Sequence, residues 1–115
     1  MAQDFQPVCP LEALEPGRGV AALVHGQAVA IFRLSGDRVR AVGNHDPFSR
    51  SSALARGIIG TLGDIDYVAS SGHRRAFDLD TGICLQDPSV SVPCFDVRVE
   101  DGTVHVGPRL ERRVG

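Results

Sequence analysis

Four histidines, three cysteines and fourteen carboxylates are the residues of this chain with chemistry to offer. His45 stands in the polar run Asn44-His45-Asp46-Pro47-Phe48-Ser49, and His73 in Ser71-Gly72-His73-Arg74-Arg75. His25 lies beside Gly26 between two apolar runs, and His105 lies in Val104-His105-Val106. Two histidines on two loops could meet at a metal, but a closed zinc site takes four ligands, usually paired Cys or His at short spacing. Neither loop holds a cysteine or a second histidine, so solvated or hydrogen-bonded histidines are expected and no metal site. Cys9, Cys84 and Cys94 are odd in number, widely spaced and without a Cys-x-x-Cys pair. That pattern reads as thiols in a reducing compartment, with a Cys84–Cys94 disulfide as the lesser alternative. Cysteine packs as a small hydrophobe, so Cys84 and Cys94 are expected in the core. Ser, His and Asp are all present, but no Gly-x-Ser-x-Gly elbow marks a hydrolase. Asp64 and Asp66 flank Ile65 beside Gly63 and are expected to be solvated in a turn. All 12 basic residues are Arg, which excludes a Schiff-base or phosphate-loop lysine.

The elements that must position these residues are short. In 115 residues there are 13 Gly and 7 Pro, punctuation too frequent for long helices. Val20 to Val24 and Ala28 to Phe32 flank His25-Gly26-Gln27 and read as a hairpin. Arg38-Val39-Arg40-Ala41-Val42 alternates with period two, placing Val39 and Ala41 on one face and the arginines on the other. Near the end, Val97 and Val99 alternate with Arg98 and Glu100, Asp101-Gly102 turns the chain, and Val104-His105-Val106 returns. Between these sheet-forming blocks, about 43–80 holds the two polar loops, short apolar runs at 57–61 and 67–70, and Ala76-Phe77-Asp78-Leu79. Single helical turns are expected at 10–14 and 52–56. Many short strands with frequent turns argue an all-β domain. A net charge of −2 without a basic block disfavours nucleic acid. No apolar run approaches the roughly 20 residues that span a bilayer. No basic-then-apolar leader is visible, so no membrane partner and a cytoplasmic location are expected.

Ala41 to Phe48, then Ser70-Ser71-Gly72-His73 leading to Phe77-Asp78-Leu79-Asp80-Thr81-Gly82, resembles the layout of Rieske-type ferredoxins. There the first loop carries Cys-Pro-His and the second carries Cys, two residues, then His. This chain has Asp46, Phe48 and Ser70 at three of those positions and keeps only His73. A Rieske cluster needs two thiolates on one iron and two imidazoles on the other. Asp46-Pro47-Phe48-Ser49, Arg56-Gly57-Ile58-Ile59-Gly60 and Thr81-Gly82-Ile83-Cys84-Leu85-Gln86-Asp87-Pro88 together resemble the small subunits of assimilatory NAD(P)H-dependent nitrite reductase, which have a Rieske-like fold and no cluster.

The resemblance implies a Rieske-like antiparallel β-sandwich spanning 1–110, with a small, loop-rich β subdomain inserted at about 43–80 and a tail at 111–115. It implies a non-catalytic subunit with no catalytic, cofactor or metal residues of its own, docked on a large subunit that carries FAD, sirohaem and a [4Fe–4S] cluster and reduces nitrite to ammonium. Asp46, Phe48, Ser70 and His73 become vestigial cluster-ligand positions. By analogy of fold, the docking surface is the pair of loops, with Asp46, Pro47, Phe48, Arg56, His73, Arg74 and Arg75. Phe48 is expected to fill the place of the cluster, and full burial there would make Phe48→Ala cost about 3–5 kcal/mol. Two rivals are an electron carrier with non-standard iron ligands drawn from His45, His73 and a cysteine, and a Rieske-like binding module of another oxidoreductase.

Overall fold

The computed structural model describes residues 5–70 and 75–110. Its frame is a six-stranded antiparallel sheet. β1 (Gln6–Pro10) opens the chain, and a 3₁₀ turn at Leu11–Ala13 leads to β2 (Gly19–Val24), β3 (Gln27–Arg33) and β4 (Val39–Gly43). Five short strands follow, β5 (His45–Asp46), β6 (Ser51–Ser52), β7 (Ile58–Leu62), β8 (Ile65–Ala69) and β9 (Ala76–Asp78), and then come β10 (Cys94–Glu100) and β11 (Thr103–Arg109). The large sheet runs β1-β11-β10-β4-β3-β2, β7-β8-β9 forms a second sheet, and β5 pairs with β6 alone. The expected hairpin turns are present: His25-Gly26 and Asp101-Gly102 both have positive φ, the geometry that matches the right-handed twist of two paired strands. The Gln6 side chain accepts from the His25 N–H at 3.4 Å and donates to the Leu23 carbonyl at 3.5 Å, so the two edges of the large sheet meet and the sheet curls on itself.

Because side chains alternate across a strand, β3 and β4 form a wall between two cores. Val29, Ile31, Val39 and Ala41 point into one, with Leu14, Val24, Phe95, Val104 and Val106. Ala30, Phe32 and Val42 point into the other, with Leu54, Val68, Phe77, Leu79, Cys84, Val92 and Cys94. The second core is where the β7-β8-β9 sheet and the first polar loop attach to the frame. Cys84 and Cys94 are buried within it, as the apolar sequence around them implies. Cys9, on β1, has its thiol pKa pushed up by burial.

Asp66 departs from the solvated turn expected of it. It lies on β8, 9% exposed. Arg38 Nη1 donates to it at 2.9 Å and the Thr61 hydroxyl at 3.1 Å. The arginines on the outer face of β4 explain the difference: Arg38 holds Asp66, and Arg40 Nε meets Asp80 at 2.6 Å. The first ion pair runs from the frame to β8 and the second to the turn after β9. Asp64 remains exposed in the turn. The hydrogen bond from Arg38 holds the Asp66 carboxyl below its ordinary value of 3.8, with a further contribution from Thr61. A carboxylate depressed in the folded state contributes stability above its unfolded pKa and loses it as pH falls through the folded value. Asp66→Asn is therefore expected to destabilise the chain at about pH 7, with a smaller deficit at a pH well below the ordinary value of 3.8. Urea melts of both proteins at the two pH values check this, and an equal deficit at both would remove the ion pair from the account.

Candidate functional site

The first polar loop rises from the second core, and Ser70 and Arg75 stand at the two ends of the second loop. In the first, Asn44 is buried and serves as a junction. Its side-chain Oδ1 accepts the Ala55 N–H at 2.8 Å, its carbonyl accepts the Leu54 N–H at 3.1 Å, and its own N–H donates to the Ala28 carbonyl at 3.0 Å. Asp46 follows, 2% exposed. Its carboxylate accepts the Phe48 N–H at 2.9 Å and its carbonyl accepts the Arg50 N–H at 2.7 Å. Asp is suited to this work because its short side chain can bond the backbone two residues on. Pro47 between them fixes φ and keeps Asp46 extended.

Phe48 is directed by this turn toward the core but is only half-buried. Its ring lies 6.1 Å from that of Phe77, tilted by 41°, within the range in which aromatic pairs attract. The guanidinium of Arg75 lies over the Phe48 ring, 5.1 Å from its centroid, a cation–π distance. Phe48 is thus a lid over Phe77 rather than a fully enclosed plug. The estimate that assumed full burial comes down to about 1–2 kcal/mol.

On the second loop, Ser70 is 6% exposed and its N–H donates to the Arg75 carbonyl at 2.7 Å. Its hydroxyl has no hydrogen-bond partner among the described residues. His73 and Arg74 lie outside the described residues. A third segment supports both loops. The Gln86 side chain accepts the Ala76 N–H at 2.8 Å, and the Cys84 thiol lies 3.7 Å from the same oxygen. Asp87 accepts from the Ser89 hydroxyl at 2.6 Å. That bond holds the Asp87 carboxyl below its ordinary range, followed by the Ser89 N–H, with Arg75 adding to it. Asp46, Phe48 and Arg75 therefore share one end of the molecule with Phe77. Arg56 does not join them: it lines a separate cleft with Arg18 and Gly19. His45 is exposed on β5, while His25 and His105 belong to the frame. Asn44, Gln86 and Phe77 escape a reading by chemistry, since their work is to hold backbone and to fill volume. The signal for Asn44 is a single amide at the end of an apolar strand.

A two-thiolate, two-imidazole cluster does not fit these residues. At positions 46, 48 and 70 stand a carboxylate turned onto its own backbone, a phenyl ring without a donor atom, and a hydroxyl. The nearest thiols in sequence, Cys84 and Cys94, face the core instead. Among the described residues, no three His, Cys, Asp or Glu side chains gather as a metal site. No helix among them is long and apolar enough to cross a membrane.

The sequence of the Rieske-like [2Fe-2S] domain family matches residues 4–107. A nitrite reductase (NADH) small subunit from Salmonella typhimurium is 41% identical over 103 residues, covering 89% of this chain and 95% of the relative. The crystal structure of a Mycobacterium tuberculosis protein assigned as an NADH-dependent nitrite reductase small subunit superposes with a TM-score of 0.90 at 44% identity, covering 94% of this chain and 97% of the other. A nitrite reductase [NAD(P)H] large subunit from Klebsiella oxytoca is 31% identical over 106 residues, which are 92% of this chain but 11% of that protein.

Proposed function

The chain belongs to the nitrite reductase small subunits, a branch of the Rieske-like domains, and on that premise we propose that it serves as the non-catalytic partner of a large nitrite reductase subunit in the cytoplasm. The observation that carries this reading is the relative from Klebsiella oxytoca, a large subunit that contains a segment resembling almost all of this chain. A module found as a separate chain in one protein and within the partner's chain in another works beside that partner in both cases. Covalent linkage raises the effective concentration of two sites that already meet. Nitrite reduction to ammonium takes six electrons, and the family resemblance assigns FAD, sirohaem and a [4Fe–4S] cluster for that work to the large subunit. Among the described residues, no group of His, Cys, Asp and Glu side chains gathers to hold a metal that would relay them.

Asp46, Pro47, Phe48 and Arg75 form the docking end in this reading, joined by His73 and Arg74, which precede Arg75 in sequence. Their combination of a half-buried aromatic and an arginine stacked on it is the chemistry of interface anchors, in which Phe and Arg are enriched. Phe48→Asp combined with Arg75→Glu is expected to weaken binding to the large subunit by about a hundredfold or more, a loss of order 2–3 kcal/mol. Calorimetric titration of the large subunit with each chain measures it. Unchanged affinity with an intact melting curve would move the interface elsewhere.

A further inference from the structure

β7 is an edge strand with unusual exposure. Ile58 and Leu62 are 70% and 64% exposed, and Ile58-Ile59-Gly60-Thr61-Leu62 carries no charge and no proline. Natural proteins blunt or cover such edges to prevent pairing. The two outer edges of the large sheet and the β9 edge are treated in that way. β1 contains Pro7 and Pro10, β2 is met by the Gln6 side chain, and β9 is covered by backbone bonds to Ile83 and Leu85. We propose that the free edge of β7 pairs, antiparallel, with the same edge of a second copy of this chain.

The register follows from the strand itself. Leu62 and Ile65 close a two-residue turn opposite each other, which makes them a hydrogen-bonded pair. Alternation then directs the backbone groups of Ile58, Gly60 and Leu62 toward β8, and those of Ile59 and Thr61 to the open edge. A two-fold axis through Gly60 sets Ile59 opposite Thr61 of the second copy at both ends, so all the outward N–H and C=O groups of these residues find partners. The same register sets Gly60 against Gly60, where a non-hydrogen-bonded pair brings the chains closest. A Cβ at Gly60 would lie 2.3 Å from the Tyr67 hydroxyl, so glycine is what allows Tyr67 to fold over the strand there. Ile58 falls beside Leu62 of the other copy, an apolar cross-strand pair on each side.

Charge fits the same symmetry. Arg56 lies four residues before Gly60 and Asp64 four residues after it. Both are exposed, and neither has an ion-pair partner among the described residues. The axis brings Arg56 of each copy to Asp64 of the other. A cleft of about 410 Å³ at the start of β7, lined by Arg18, Arg56 and Gly57, lies where the Gly63-Asp64 turn of the second copy arrives. A self-complementary patch of this kind is what an isologous dimer requires.

Sedimentation equilibrium of the full chain over a wide concentration range tests the pairing. The expected result is a weak, reversible monomer–dimer equilibrium. Leu62→Lys, which adds an edge charge, should remove the dimer. Arg56→Asp alone and Asp64→Arg alone should each weaken it by about tenfold or more, and the combined variant should restore it to within a few-fold. The side chains at all three positions are on the surface, so melting curves that match the parent establish that folding is intact. A chain that stays monomeric throughout overturns the proposal, as does a dimer indifferent to Leu62→Lys or a failed rescue in the combined variant. A monomer whose Leu62→Lys variant loses affinity for the large subunit would also overturn it, and would give the edge to that partner.

Discussion

Phe77→Ala is expected to lower the stability of the chain by about 3–5 kcal/mol. Phe77 is fully buried at the centre of the second core, among Phe32, Val68, Leu79 and Cys84. It joins three parts of the fold: β9 pairs it with Val68, an isolated bridge pairs it with Cys84, and its ring supports Phe48. Truncation removes apolar area and leaves a cavity that strands on several sides cannot collapse to fill. Phe48→Ala, by contrast, removes a half-buried ring from the surface of the same core, so solvent replaces it without a closed void. The ratio of the two losses is the informative quantity. In urea melts, a Phe77→Ala loss two or more times that of Phe48→Ala supports a lid resting on a core. Equal losses would mean that Phe48 itself holds the two loops together.

Gly82→Ala is expected to cost about 2–4 kcal/mol. Gly82 has φ of +80°, a region that L side chains rarely adopt, and a Cβ there would lie 2.0 Å from the Val92 carbonyl oxygen and 3.1 Å from Cys94 Sγ. The backbone on both sides is committed. The Gly82 N–H donates to the Asp78 carbonyl at 2.7 Å, and its carbonyl accepts the Val92 N–H at 2.8 Å. Relief of the contact would therefore break the turn that carries Thr81 to Gln86 back beneath the loops. Gly17 provides the control. Its φ is +83°, but a Cβ there meets nothing within 4 Å, so Gly17→Ala should show only the conformational cost of about 1 kcal/mol. Thermal or urea melts of the two variants separate strain from collision. Similar small losses at both positions would mean that the 82–92 loop moves aside freely.

The frame was legible because its signals are local. Val39 and Ala41 alternate with arginines, and the structure sends those two faces to a core and to ion pairs with Asp66 and Asp80. His25-Gly26 and Asp101-Gly102 turn where two-residue hairpins need positive φ. The helical turns expected at 10–14 and 52–56 exist as 3₁₀ turns at Leu11–Ala13 and Leu54–Arg56. The family was legible from motifs spread over the chain. Features made by distant segments were not legible. Asp66 reads as a turn carboxylate because its partner Arg38 lies 28 residues away. The half-burial of Phe48 depends on Phe77 beneath it and Arg75 above it, and no spacing rule reports either. Arg56 joins the loop motif in sequence but faces another cleft, because β7 and its 3₁₀ turn carry it toward β2.

If this chain supports nitrite reduction without carrying an iron–sulfur cluster, its own iron content and its effect on the large subunit must separate. Anaerobically purified chain should be assayed for iron and visible absorbance, then titrated into large subunit lacking it while nitrite-dependent NAD(P)H oxidation is followed. The account predicts colourless chain with iron well below one atom per molecule, and a saturable gain in activity or in stability of the large subunit on adding it. Stoichiometric iron with visible absorbance, and a gain that disappears when that iron is removed, would contradict the account and make the chain an electron carrier.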